Sequence, residues 1–367
     1  MSFESKAAFQ KDSQTSTYPV ESGSLGAGDS VPILNESIKD GHERVDDNVL
    51  SGNAGLLTSD LIAENYAGGL SCQLRYNDLG PLLCAGFGFE NPNDDGATYH
   101  GSPEADGSQY RHIFELDDNL KTEAWLAGEE RYPSGSGGGT WNANHTKVRR
   151  GALGLAKGVS DWRYNSAMVN RMVFTFEPNL CKIDFDIIAY SRDRGDYSSS
   201  TWTFSSDVRN VVFPNITFDI DGTDYGIARA EVAIDNKLAI QRDTESGVNI
   251  LEPWREDMRV STLAFDFLRY EDDTFFDSFD NDTEFYCSIE AASGNYELGL
   301  YMNAAKFSDV QAPIPGSGIL GMQHQAVLYR PSSNNFASVL GDIELKKDAE
   351  VFCALVNDHS TNYLTEV

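Results

Sequence analysis

The sequence predicts an all-β protein, a sandwich or barrel architecture built twice over with short flanking helices. Many short runs alternate apolar and polar residues and are separated by Gly, Pro, Asn and Asp, the pattern of half-buried strands joined by turns. No long stretch carries the 3.6-residue period of a helix, which leaves room for about two short ones. The third observation is an internal echo. Leu70-Ser-Cys-Gln-Leu-Arg-Tyr-Asn-Asp78 and Leu263-Ala-Phe-Asp-Phe-Leu-Arg-Tyr-Glu-Asp272 both alternate, both end in Leu-Arg-Tyr-x-Asp, and both run into a leucine-rich or aromatic patch.

Taken in order, residues 1–50 are rich in Ser, Gly and Asp and broken by Gly and Pro; they read as an extended arm or a disordered tail. From Leu56 the apolar density rises. Leu70, Cys72 and Leu74 share one strand face and Ser71, Gln73 and Arg75 the other. Asp78 is placed to cap a short helix over 79–87, with Pro81 in its first turn. Residues 90–110 read as loop and 111–116 as a strand. The glycine-rich, then basic segment 132–150 reads as an exposed insertion. Its Lys147, Arg149 and Arg150 are candidates for meeting an acidic neighbouring subunit.

Residues 169–190 give the clearest hairpin. Val173-Phe-Thr-Phe176 enters a Glu177-Pro-Asn179 turn, and Cys181-Lys-Ile-Asp-Phe-Asp-Ile187 follows. Ile183, Phe185 and Ile187 are expected to point inward, Lys182, Asp184 and Asp186 outward to a wet, acidic face. Further strands are expected over 214–220, 230–235, 237–242, 261–268, 284–291, 296–303, 322–330 and 350–356. The expected organisation is an arm over 1–50, a first β domain over 51–205 with an insertion around 132–150, a second over 206–345, and a C-terminal strand and extension over 346–367. The echo has a flaw. With the Leu-Arg-Tyr triplets aligned, the inward faces disagree unless one extra residue enters near 267–268, because a one-residue slip turns every side chain to the other face.

Charge narrows the function. The chain has 28 basic and 57 acidic residues, a net charge of −29. That argues against a nucleic-acid-binding surface, which needs clustered Lys and Arg, and is compatible with one past which DNA slides without sticking. Five cysteines, none in a CxxC pair and all among apolar neighbours, read as reduced buried thiols. No signal-peptide core opens the chain, and no run approaches the roughly 18 apolar residues that span a bilayer. The expectation is a protein made in a cytosol and not held in a membrane.

No catalytic constellation stands out. The six histidines are scattered, and no nucleophile elbow, Walker loop or dinucleotide fingerprint is present. The acidic clusters at 219–224 and 277–284 carry oxygen ligands at short spacing, but a calcium site needs about six to eight oxygens converging on one point, and in so acidic a chain such clusters arise by chance in turns. The reading is therefore no enzyme, no cofactor and no metal. A rival is a carbohydrate-binding or glycan-cleaving β-sandwich that uses Trp125, Trp141, Trp162, Trp202 or Trp254 in a groove. Another is a different β-rich structural component of a larger particle.

Several stretches carry a family likeness: the breaker-rich start (Pro19-Val-Glu-Ser-Gly23, Val31-Pro-Ile-Leu34), the strand 69–75 followed by Leu82-Leu-Cys-Ala-Gly-Phe-Gly88, the hairpin 172–190, and the run 252–267. Together they resemble the tail tube, or major tail, proteins of long-tailed bacteriophages. The insertion at 134–139 and the extension beyond about 345 depart from that pattern. The resemblance implies a self-assembling virion protein whose sheets join edge to edge into rings, stacked as a conduit for DNA ejection. It implies tape-measure and tail-end proteins as partners and six-fold or pseudo-six-fold rings. With the duplication, it favours a trimer of two-domain chains over a hexamer, with Asp184 and Asp186 as lumen-facing candidates.

Overall fold

The computed structural model describes residues 6–11, 25, 30–46, 59–91, 104–106, 109–116, 150–197, 199, 202, 204–242, 244, 247–251, 253–270, 273–313, 321–330, 336, 350–360 and 363. The first half holds β1 (Lys6–Lys11), β2 (Ser30–Val31), β3 (Ile33–Glu36), β4 (Lys39–Asp46), β5 (Ser59–Gln73), α1 (Gly80–Phe87), β6 (Gly88–Asn91), β7 (Glu104–Asp106), β8 (Gln109–Leu116), β9 (Arg150–Ala156), β10 (Asp161–Glu177), β11 (Leu180–Ala189) and β12 (Ser191–Gly195). The second holds β13 (Ile216–Ile220), β14 (Thr223–Asp224), β15 (Arg229–Asp235), β16 (Leu238–Ala239), β17 (Trp254–Arg255), β18 (Val260–Phe267), α2 (Thr274–Asp280), β19 (Phe285–Ser293), β20 (Tyr296–Gln311), β21 (Met322–Leu328) and β22 (Val351–Asn357). The fold is all-β, as the alternation predicts. All these strands except the β16–β17 ribbon belong to one antiparallel sheet that curls back on itself.

The same succession of pairings occurs twice. In the first half β1 pairs with β9, β9 with β10, β10 with β11 and β12, and β11 with β5, which carries β3 and β4 on its far side. In the second, β13 pairs with β19, β19 with β20, β20 with β21 and β22, and β21 with β18, which carries β15. A short helix follows β5 and packs on β10; another follows β18 and packs on β20. The long strands β10 and β20 each serve two layers. Their N-terminal parts pair with β9 or β19, and their C-terminal parts belong to the β11 or β21 layer.

The Leu-Arg-Tyr triplets sit at matching places, directly after β5 and β18 and before the helices. Their side chains do not match. Leu74 is 0% exposed and Leu268 is 71% exposed, the face disagreement that the two sequences imply.

Strands also run through the two end segments. Residues 1–50, read as an arm, hold β1 to β4, with β1 along β9 and β4 along β5. β22 lies between β20 and β8, so the chain end closes the second back layer against the first half. A large aromatic and aliphatic core fills the space between the layers. α1 starts without the expected Asp78 cap. Its N-cap is Leu79, with Pro81 in the first turn and left-handed Gly88 (φ 89°) closing the end.

Candidate functional site

The hairpin of β10 and β11 turns at Pro178-Asn179, and its alternation is as expected. Ile183, Phe185 and Ile187 are buried with Met172, Phe174 and Phe176. Asp184 and Asp186 lie on the opposite face. Asp184 accepts a hydrogen bond from the Ser71 hydroxyl on β5 and pairs with Lys182 at 2.7 Å. Asp186 is exposed, opposite Gly69 on one side and Arg171 on the other.

The sheet continues into the second half because β10 pairs directly with β15, with the buried Val173 and Ala233 opposite one another at the seam on this face. Arg171 lies opposite Asp235, and Thr175 opposite Glu231. Arg229 pairs with Glu177 at 3.0 Å across the seam and with Glu231 at 2.7 Å along its own strand. Asp266 on β18 comes next, opposite Arg229. Burial pushes its carboxyl above the usual range, and the Arg229 charge opposes that shift. The result is one curved polar face crossed by carboxylates, with Arg171, Lys182 and Arg229 placed among them. A phosphate backbone would meet mostly repulsion here, with no clustered cations to hold it.

The seam has its own clasp. Asn170 is the bulged residue of β10. Its carbonyl accepts the Asn236 N–H (2.8 Å), and its side-chain oxygen accepts the Leu238 N–H (2.7 Å). The buried Asn236 amide donates to the Val169 and Gly86 carbonyls at 3.3 and 3.1 Å. Bulges re-aim strands and end pairings; this one fixes where β15 stops beside β10.

Two of the open strand edges in this curled sheet lie at equivalent places in the repeat. β3 and β4 pair only with β5, and β20 from Lys306 to Gln311 pairs only with β21, among the described residues. Open edges are the natural sites of strand addition.

The remaining candidates fall as follows. Arg150 is the first residue of β9 and is 1% exposed. It stands opposite Met168 and is therefore part of the sheet, where a loop residue was expected. Lys147 and Arg149 lie outside the described residues, as do Trp125 and Trp141. Trp202 is buried. Trp162 is half-buried, with Lys157 Nζ 4.1 Å and Arg192 Cζ 4.7 Å from its ring centre, so cations occupy the face a sugar would need. Among the described residues no group of three or more His, Cys, Asp or Glu could hold a metal ion. At the 219–224 turn the carboxylates hold backbone instead. Asp219 accepts the Gly222 N–H (2.7 Å) and Asp221 the Tyr286 N–H (3.0 Å).

Two polar groupings, one buried around His112 and one partly exposed around Tyr296, were not legible in the sequence. His112 Nδ1 lies 2.7 Å from Glu90 Oε1, and its Nε2 is 2.9 Å from the His359 carbonyl. The Tyr296 hydroxyl lies 2.6 Å from Asp358 and 2.8 Å from Asp207, and Arg209 stacks over its ring at 4.3 Å. Burial and these two carboxylates raise the phenol well above its ordinary value. Both groupings fasten the chain end to earlier strands. The partners are far apart in sequence, so no local spacing announces them.

No helix among the described residues is long and apolar enough to cross a membrane. No curated protein matches the chain. A family model described as phage tail tube protein matches residues 6–319, a span that begins at β1 and ends between β20 and β21. The chain belongs to the phage tail tube protein family, a structural component of the virion tail.

Proposed function

We propose that this chain is a two-unit tail tube subunit, and that three copies close one ring of the tube through which the genome is ejected. The first unit runs from β1 to β12 and the second from β13 to β22. The observation that carries the reading is the side-by-side joining of the two units at β10 and β15. If every junction around the ring resembles that one, two units per chain make a pseudo-six-fold ring from three chains. The polar face bearing Asp184, Asp186, Glu231, Asp235 and Asp266 lines the lumen. Its carboxylates keep DNA from adhering during passage. The role is mechanical and needs no catalysis. Tape-measure and tail-end proteins are the remaining partners, and the chain folds in the host cytoplasm before it joins a tail.

Electron microscopy of the concentrated purified protein tests this. Rings or stacked tubes with a central channel are expected. Monomers at every concentration, together with tails that lack this chain, would refute it.

A further inference from the structure

We infer that the open edge of β20, from Lys306 to Gln311, receives β3 and the start of β4 from the next copy of this chain, antiparallel, as β10 receives β15 within the chain. This rests on the ring reading above and names the strands that close it.

The two open edges are equivalent to the two sides of the β10–β15 seam. β10 and β20 occupy the same place in the repeated pairing order, between β9 and β11 in one half and between β19 and β21 in the other. Each has a stretch beyond its back-layer partner. On β10 that stretch, Arg171 to Phe176, is filled by β15. On β20 the matching stretch has no strand beside it among the described residues. In the same way β15 and the β3–β4 pair hold one position, the outer neighbour of β18 and of β5. β15 has a partner on its far side, and β3 and β4 have none among the described residues. The two vacant edges are thus the two halves of the junction already made once inside the chain.

Side-chain exposure agrees. At the closed seam the outward-facing Val173 and Ala233 stand opposite one another and are buried. On the edge strand β3 Leu34 is 46% exposed, and on β21, one strand in from the β20 edge, Val327 is 44% exposed. Joining the edges would cover such side chains as the inner seam does. Both edges carry both signs of charge, Lys306 and Asp309 on one, Lys39, Asp40, Glu43 and Arg44 on the other. The inner seam likewise sets Arg171 opposite Asp235. Charged edges resist indiscriminate pairing while admitting one matched partner.

Cysteine pairing tests the junction. All five native thiols are buried, so they leave an engineered pair to react alone. Ser308→Cys is combined with a cysteine at each position from Leu34 to Glu43 in turn, and assembled tubes are mildly oxidised. The junction predicts a ladder of covalent dimers and trimers on a non-reducing gel for at least one register, absent from each single-cysteine protein. Hydrogen exchange on the unmodified protein gives an independent reading. Amides of 306–311 and 33–43 should gain at least tenfold protection on assembly. Tubes that form normally with no cross-linking pair and no added protection would overturn the junction and leave the ring reading standing. Failure of the unmodified protein to form tubes would remove the ring reading itself, and the junction with it.

Discussion

Asp78 has a left-handed backbone (φ 71°), and its carboxylate accepts the Ser205 N–H at 2.9 Å, with Arg75 3.8 Å away. Burial is the largest influence and raises its carboxyl above the usual range. Ionisation therefore weakens the fold above the folded-state pKa, and that cost vanishes as pH falls through it. Asp78→Asn keeps the acceptor, tolerates left-handed backbone and removes the buried charge. Its stability at neutral pH should lie within about 1 kcal/mol of the parent, whereas Asp78→Ala should lose roughly 1–3 kcal/mol; denaturant melts of both check this. His324 behaves oppositely. Buried against Phe265 at 4.4 Å between ring centres, it is shifted down to about 4 by loss of solvent. The unfolded chain binds the proton from about pH 6.5 downward while the folded one resists it to about 4. Stability should fall by up to about 3 kcal/mol as pH drops through that window. His324→Phe should flatten that part of the pH profile of thermal unfolding. At this scale the sequence was informative where alternation ruled, as at Ile183 to Ile187. It misled at Asp78 and Arg150, because a cap and a buried strand residue are chosen by neighbours distant in the chain.

Among elements, the β10–β15 seam joins the two halves into one sheet, together with the pairing of β22 with β8. The Arg229–Glu177 pair across it is about half exposed on both sides, and such pairs contribute about 1 kcal/mol or less. Asn236 is buried and satisfies two carbonyls. Asn236→Ala strands those acceptors and should cost about 1–3 kcal/mol, clearly more than Arg229→Ala; comparing urea midpoints of the two variants tests the ranking. α1 adds a packing constraint. A Cβ on Gly80 would run into the Tyr363 ring, so Gly80→Ala should lower stability by roughly 1–3 kcal/mol, read from its thermal midpoint. Strand existence was legible throughout from period-two patterning. The length of β10 and β20 was not, since parts of them, such as Tyr164-Asn-Ser-Ala-Met168, are buried on both faces and lose the alternation. Nor was the pairing of β1 with β9, which sets Lys6–Lys11 against residues about 150 positions away.

For the whole molecule, a net charge of −29 and a largely polar face suit the proposed role as a wall that DNA passes without binding. Tubes built from Asp186→Lys protein should retain duplex DNA at low salt and release it as salt rises, while parent tubes retain none; filter binding at two ionic strengths checks the lumen assignment. The repeated pairing order gives the account its geometry. The sequence hinted at that repeat through Leu74-Arg-Tyr76 and Leu268-Arg-Tyr270, although the triplets themselves face opposite ways. The decisive measurement is the number of chains per ring, from the rotational symmetry and mass of assembled tubes. The account predicts three chains with three-fold symmetry and a six-lobed outline. Six chains per ring, each contributing one equivalent lobe pair to a larger circle, would contradict it.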